Sequence, residues 1–364
     1  MKQQCNNARH GLDVAAATYV DLIEDICTEQ NISFHPKYLA RDIMSTDIKM
    51  VTLDDTVKNC IDFMKLHRVR HAPVIETPNT KEGRSHFIGV ISERDLLRQI
   101  WPYAGQLHGE NTDHKSLRQR MVQIVVRKPK CASLETPIPD VILTMINNKI
   151  DMVPVTSDEH LVGIITTIDI IKCLFGIHAE ICRLFPEVQE GKQLVDSAFK
   201  SLPQTDFILR WLSQTVQEIM TEQVVYLGLD QTLAKAIELL CKKHFRHLPI
   251  VDGQQVLIGI VSDRDILWNL PPATKRPIAQ PQPFHDDMFE VDPKVMILEL
   301  PLARIMTWNL TTILPSCSTF EAAKILYNKK VSCLPVVDQA KKLCGIVTVT
   351  DLMRSLLKLY NPPG

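Results

Sequence analysis

One seven-residue string occurs four times in this chain of 364 residues, and it constrains the fold more than any other feature. Each copy reads Gly, two β-branched residues, Ser or Thr, two variable residues and Asp. The copies are Gly89–Asp95, Gly163–Asp169, Gly259–Asp265 and Gly345–Asp351. Recurrence of this kind is the signature of a repeat protein, so four copies of one structural unit must account for most of the chain.

Each string follows a short apolar segment with a central proline. The segments are His71–Val74, Met152–Val155, His247–Ile250 and Cys333–Val336. Upstream of them, one methionine opens each repeat: Met44, Met121, Met220 and Met306. From this methionine to the proline there are 29 residues in repeats one, three and four and 33 in repeat two. The spacing therefore predicts a four-residue insertion in repeat two.

The local pattern of repeat three predicts the secondary structure of the unit. Apolar periodicity, N-cap residues and turn residues indicate an extended run, a helix, two strands and a second helix. These are Val224–Tyr226, a helix capped by Asp230 or Thr232 that ends at Lys243, Leu248–Val251, Leu257–Val261 and Arg264–Leu270. The unit is therefore β-α-β-β-α.

This order, with its Gly-h-h-Ser/Thr-x-x-Asp ending, resembles the cystathionine-beta-synthase (CBS) domain family. The resemblance implies an α/β (α+β) fold of four β-α-β-β-α repeats arranged as two tandem pairs, here called module one and module two. The expected CBS repeats span 41–100, 117–174, 216–270 and 302–360. The remaining expected segments are an N-terminal helical segment 1–40, a helical inter-module linker 175–215 and a Pro-rich linker 271–301.

Composition excludes several classes of function. The net charge of −1 gives no electrostatic case for binding nucleic acid or an anionic membrane. No apolar run approaches the ~20 residues of a membrane span, and the first residues lack the apolar centre of a signal peptide. The 10 cysteines are scattered without metal-site spacing, which favours reduced thiols, no metal and a cytoplasmic location.

The Ser/Thr-x-x-Asp ending has two interpretations. It is close to a capping box, in which the hydroxyl and the carboxylate satisfy backbone groups at a helix N-terminus. It also suits a ligand, because a helix N-terminus attracts phosphate and a carboxylate there can accept both hydroxyls of a ribose. Capping boxes favour Glu or Gln at the last position, whereas all four copies have Asp. The Gly at the start of every copy indicates that the backbone there is closely approached.

The family resemblance implies that adenosine-containing ligands bind in the clefts between paired repeats. It implies that the motif Asp holds the ribose, and that the Ser or Thr holds the ribose or a phosphate. Backbone near the methionine lead and the strand before the proline would receive adenine. Carried over to this chain, the candidates are Asp95, Asp169, Asp265 and Asp351, with Ser92, Thr166, Ser262 and Thr348.

The repeats differ in charge around these sites. Repeats one and three carry cations at three equivalent positions where repeats two and four carry none: Arg70, His71 and Arg94, and Arg246, His247 and Arg264. Arginine suits phosphate recognition, although a solvated basic surface would give the same pattern. We expect one anion site in the cleft of each module, with the even repeat contributing mostly hydroxyl and carboxylate groups. Asp151 should then point away from the cleft.

Together these features predict a regulatory or sensor protein that binds AMP, ADP or ATP and has no catalysis and no obligatory cofactor. Its modules should pack as a four-repeat disc, within one chain or across a homodimer, and it could have a regulated protein partner. Three alternatives remain: another adenosyl ligand such as S-adenosylmethionine or a dinucleotide, a scaffold with empty pockets, or an enzyme whose chemistry lies in the linkers. For an enzyme the only candidates are His178, Cys182 and His285.

Overall fold

The computed structural model describes residues 38–76, 86–104, 120–184, 211, 213–243, 245–269 and 301–360. The expected N-terminal helical segment, most of the inter-module linker and the Pro-rich linker, with His285, lie outside these residues. None of the helices in the described ranges is long and apolar enough to cross a membrane.

Repeats one and three have the predicted β-α-β-β-α order. In repeat one, a short helix α1 (Ala40–Ile43) precedes β1 (Val51–Thr52), α2 (Val57–His67), β2 (His71–Glu76), β3 (His86–Ser92) and α3 (Glu93–Ala104). Repeat three contains β7 (Leu227–Gly228), α6 (Leu233–Lys243), β8 (His247–Val251), β9 (Leu257–Ser262) and α7 (Asp263–Asn269). The first strand lies just after the predicted run, because Leu227 enters the core whereas Val225 and Tyr226 are exposed.

Repeats two and four keep the same order but reduce the first strand to a single parallel bridge, Ala132 to Val155 and Ile313 to Val336. Repeat two contains β4 (Val126–Arg127), α4 (Ile138–Asn148), β5 (Met152–Ser157), β6 (His160–Thr166) and α5 (Thr167–Leu184). Repeat four contains α8 (Thr319–Lys329), β10 (Cys333–Val337), β11 (Leu343–Thr348) and α9 (Val349–Tyr360). Strand β4 pairs with β3 of repeat one, so one sheet joins the two repeats of module one.

The predicted insertion in repeat two is wrong. Met121 begins a 3-10 turn that corresponds to the turn beginning at Leu302 in repeat four, four residues before Met306. The residue equivalent to Met306 is therefore Val125, which lies 29 residues before Pro154, as in the other repeats. The error arose because a methionine happens to occupy the core position of the turn in this repeat, where Met121 is fully buried.

The lead residue of each repeat packs on the motif glycine of its partner repeat. A Cβ added to Gly259 would lie 2.5 Å from the Sδ of Met306, and one added to Gly345 would lie 2.6 Å from the Sδ of Met220. Gly163 meets Met44 in the same way, and Gly89 meets the Val126 backbone and the Val125 side chain of repeat two. A side chain at the glycine would overlap these atoms, so the expectation of a close approach is confirmed at all four copies.

The two modules pack together within one chain. Helix α3 of repeat one packs against α6 and α7 of repeat three, and α5 of repeat two packs against α8 and α9 of repeat four. The buried apolar residues accordingly form two clusters, one shared by repeats one and three and the other by repeats two and four. The centre of the molecule is therefore bounded by all four repeats, and the oligomeric state of the chain stays a prediction.

Candidate functional site

The four motifs adopt one geometry at the junction of a strand and a helix. In each, the Oδ2 atom of the Asp accepts hydrogen bonds from the backbone N–H and the hydroxyl of the Ser or Thr three residues earlier. The N–H to Oδ2 distances are 3.0, 2.9, 2.8 and 2.9 Å in repeats one to four. The carboxylate therefore caps the helix in every repeat, and in repeats one and three the Ser hydroxyl also accepts from the backbone N–H of the Asp. A ligand would have to use the second carboxylate oxygen, Oδ1.

The availability of Oδ1 separates the odd repeats from the even ones. The Oδ1 atom of Asp169 contacts Lys172 Nζ at 3.1 Å, and that of Asp351 contacts Arg354 Nη1 at 3.0 Å. Asp95 and Asp265 have no equivalent ion pair within the described ranges, and both are only partly buried. Burial raises the pKa of the Asp265 carboxyl, while hydrogen bonds from Ser262 oppose that shift. The odd motifs therefore present the more accessible carboxylate oxygen.

A cavity of about 460 Å³ lies at the motif of repeat one, in the cleft of module one. Asp95, Ser92 and Arg94 line it on one side, and repeat two faces them through Val126, Lys128–Lys130 and Asn148–Met152. Repeat three also contributes, through Arg246 and Asp263. The cavity is therefore built by three repeats rather than by one pair.

The cavity is strongly basic. Seven arginines and lysines line it, against four carboxylates. Repeat one supplies Arg70, His71, Arg94 and Arg98. The first three were predicted from the sequence, and Arg98 was not. The excess of positive charge favours an anionic ligand.

The expectation that the even repeat contributes mostly hydroxyl and carboxylate groups is wrong for this cavity. Lys128, Lys130 and Lys149 of repeat two all line it. Lys128 and Lys149 adopt positive φ angles of 53° and 54°, a conformation that is uncommon for residues with a side chain. The basic run Arg127–Lys130, directly after the lead of repeat two, was the available signal, but the misplaced register concealed its position in the cleft.

Four equivalent residues, one from each repeat, form two pairs at the centre of the molecule. They stand three positions before the proline of the central strand: Arg70, Asp151, Arg246 and Ser332. Arg70 donates a hydrogen bond to Ser332 at 2.8 Å, and Arg246 forms an ion pair with Asp151. Asp151 thus lines the cavity, and the expectation that it points elsewhere is wrong. Which of these four residues pair depends on how the two modules pack, and this packing cannot be read from the sequence around each residue.

Arg264 and His247 belong to this centre but are not among the residues that line the cavity. The Nε atom of Arg264 donates to Glu93 at 2.8 Å, and its guanidinium lies 4.8 Å from the ring centre of Trp268. His247 Nε2 lies 3.0 Å from the hydroxyl of Ser332. These predicted site residues therefore take part in contacts between repeats, and their role toward a ligand stays a prediction.

The two central histidines are held neutral. Burial lowers the pKa of His71 and of His247 well below 6.5, and the surrounding arginines Arg70, Arg94, Arg246 and Arg264 lower it further. The Ser332 hydroxyl accepts from Arg70, so its own proton points to His247 Nε2, which can accept only in the neutral ring.

We therefore expect stability to fall in mild acid. A histidine with a depressed pKa binds fewer protons in the folded state than in the unfolded one, so its contribution is lost as the pH drops below about 6.5. The unfolding free energy should therefore be lower at pH 5.5 than at pH 7.5, by on the order of 1 kcal/mol for each histidine. Urea unfolding of wild type and His247→Gln from pH 5.5 to 7.5 measures this. Equal pH dependence in the two proteins would contradict it.

Of the residues considered for an enzyme in the linkers, His178 is the one whose side chain lies in the part of the chain that the structure describes. His178 stacks on Phe320 at 3.4 Å between ring centres, and burial lowers its pKa to about 4. Within the described ranges, no group of His, Cys, Asp and Glu could hold a metal ion.

Comparison with known proteins agrees with this architecture. The family model of the CBS domain matches residues 40–102, 122–176, 216–271 and 302–358, which is more than half of the chain. An uncharacterised protein of Methanocaldococcus jannaschii is 24% identical over 320 residues, 88% of this chain and 62% of that protein, so the chain spans less than two thirds of this relative. A CBS domain-containing protein of Dictyostelium discoideum is 31% identical over 147 residues, 40% of this chain and 94% of that protein.

One solved structure resembles the whole arrangement. It is that of another Methanocaldococcus jannaschii protein, described as a proposed archaeal homologue of g-AMPK. The TM-score is 0.64 at 16% identity, and the match covers 88% of this chain and 100% of that one. A likeness at this identity supports the fold and leaves the ligand to be argued from the residues of this chain.

Proposed function

The chain belongs to the CBS domain family, and on that premise we propose that it is a regulatory or sensor protein that binds an adenine nucleotide in the module-one cleft. The observation that carries the proposal is the basic cavity of about 460 Å³ at Asp95. Its volume lies in the range of small-molecule sites, about 300–1,000 Å³. Its polar groups include a carboxylate at the start of helix α3 together with several arginines and lysines.

The proposed binding mode uses the two ends of the cavity differently. The Oδ1 atom of Asp95 accepts the ribose hydroxyls, and Ser92 stands beside it. Adenine lies against the Val126–Lys130 segment of repeat two, as the family resemblance implies. The phosphates point to the centre, where Arg70, His71 and Arg246 line the cavity. Charge-assisted hydrogen bonds from arginine are the strongest contacts available there.

The other three motifs are proposed as weaker sites. Asp265 with Ser262 has the accessible oxygen but no cation from Arg264, which contacts Glu93. Asp169 with Thr166 and Asp351 with Thr348 have an ion pair on Oδ1, which a ribose hydroxyl would have to displace. We propose that module one fills first, with an affinity in the micromolar range, equivalent to about −8 kcal/mol.

Two other functions are distinguished by the choice of ligand. Another adenosyl compound, such as S-adenosylmethionine or a dinucleotide, would use the same Asp95 contact but need fewer cations. A scaffold would bind none of these ligands. We propose a protein without catalysis that acts through a protein partner in the cytoplasm, so nucleotide hydrolysis should be absent.

Replacing Asp95 by alanine should weaken nucleotide binding roughly ten- to a hundredfold, because a hydrogen bond to a charged group contributes about 1.5–3 kcal/mol. Calorimetric titration with adenosine, AMP, ADP, ATP and S-adenosylmethionine measures this. Asp351→Ala is the matched control, since it loses the same cap hydrogen bonds in a motif whose Oδ1 is already paired. The proposal fails if no compound produces heat or a melting shift, or if the two variants lose affinity equally.

A further inference from the structure

Asp151 is the one acidic residue among the four equivalent residues at the centre of the molecule. In one of the two pairs, Arg70 contacts the neutral hydroxyl of Ser332. In the other pair, Arg246 contacts the carboxylate of Asp151. The two arginines occupy the same place in their repeats, and both line the cavity, but only Arg246 is neutralised by a carboxylate at the equivalent position.

The Arg246–Asp151 pair is well shielded from solvent. The side chain of Arg246 is 23% exposed, and that of Asp151 is 14% exposed. Burial and the nearby Arg94 and Arg70 guanidiniums lower the pKa of Arg246 to about 9, which shows how crowded with positive charge this region is. Charges in such a position are screened by salt much less than surface charges are.

The pair places a negative charge where an anionic ligand would approach Arg246. A phosphate at this end of the cavity would meet the carboxylate as well as the arginines, and would have to share or displace Asp151 to reach Arg246. Repulsion grows with each negative charge on the ligand, whereas an uncharged nucleoside does not experience it.

We propose that Asp151 is a specificity-determining residue that lowers the affinity of the module-one cavity for highly charged ligands relative to less charged ones. The inference rests on the proposed function, since it concerns the same cavity. The inference also goes beyond the proposed function. It assigns the choice between nucleotides of different charge to one side chain of repeat two and its partner in repeat three.

The sharpest test is Asp151→Ser. This variant gives Arg246 the same kind of partner that Arg70 has in Ser332. Calorimetry should show that affinity for ATP rises at least tenfold, that affinity for AMP rises about threefold, and that adenosine changes by less than about twofold. Asp54→Ser is the control for net charge, since the Asp54 side chain is 77% exposed and pairs with the exposed Arg120 outside the cavity. It should leave all three affinities unchanged.

A structural role predicts a different result. If Asp151 only shapes the cavity, adenosine, AMP and ATP should change by the same factor, and the proposal is overturned. It is also overturned if ATP binds no more tightly. Asp151→Asn keeps the shape of the side chain and repeats the test should the serine variant fail to fold. If neither variant folds, the carboxylate serves stability and the proposal is wrong.

Tripolyphosphate separates this inference from the proposed function. It carries the charge of a triphosphate and has no adenine or ribose. If wild type binds no adenine compound, the proposed function fails, but Asp151→Ser should still bind tripolyphosphate at least about tenfold more tightly than wild type does. An unchanged affinity for tripolyphosphate overturns the inference even if nucleotides bind as proposed.

Discussion

Replacing Arg264 by alanine is expected to lower the free energy of unfolding by about 3–5 kcal/mol, the cost of breaking a buried ion pair by removing one partner. The side chain of its partner, Glu93, is only 4% exposed. Burial already raises the pKa of Glu93, and Arg264 is the largest influence that opposes this shift. Without the guanidinium, a carboxyl from repeat one would stay buried against repeat three with its main counter-charge gone.

Guanidinium unfolding followed by circular dichroism measures the loss. The matched control is the double variant Glu93→Gln and Arg264→Gln, which removes both charges and should cost less than half as much, because no buried charge is left uncompensated. If Arg264 acts through packing, the folded variant should bind adenosine and AMP more weakly than wild type by the same factor, as measured by titration. A loss of unfolding free energy below about 1 kcal/mol for Arg264→Ala would contradict the account of the pair.

The second large effect is expected at Gly89, where alanine should destabilise the protein by about 3 kcal/mol, the upper end for inserting a methyl group into a packed site. A Cβ at this position would lie 3.0 Å from Val125 Cγ2 and closer still to the carbonyl oxygen of Val126. The obstacle is backbone, which cannot rotate away as a side chain can. Strand β4 would have to move, and Val126 lines the cavity, so ligand binding should weaken as well.

Gly253→Ala is the matched control, because nothing lies within 4 Å of the Cβ that it would add. Its unfolding free energy should stay within about 0.5 kcal/mol of wild type. Gly259→Ala offers a second comparison, since the added methyl meets the flexible Met306 side chain and should cost less than the methyl at Gly89. If Gly89→Ala and Gly253→Ala unfold at the same denaturant concentration, the packing between repeats one and two has been misjudged.

Features that depend on residues close together in the chain could be predicted from the sequence. The four motifs, the β-α-β-β-α order and the cap of α6 at Thr232 are encoded within short segments, where apolar period, turn residues and capping chemistry act directly. The close approach at Gly89, Gly163, Gly259 and Gly345 could also be predicted, since a recurring glycine implies a place where a Cβ does not fit.

The contacts between residues of different repeats could not be predicted, because they depend on how the repeats pack. Val125 takes the lead position of repeat two, and Lys128 and Lys149 enter a cavity that the sequence assigned to the cations of repeat one. Asp151 turns to Arg246 and Glu93 to Arg264, partners that lie in different modules. Such pairs follow from the packing of elements far apart in the chain. The residues around a charge in one repeat do not indicate which charge of another repeat will face it.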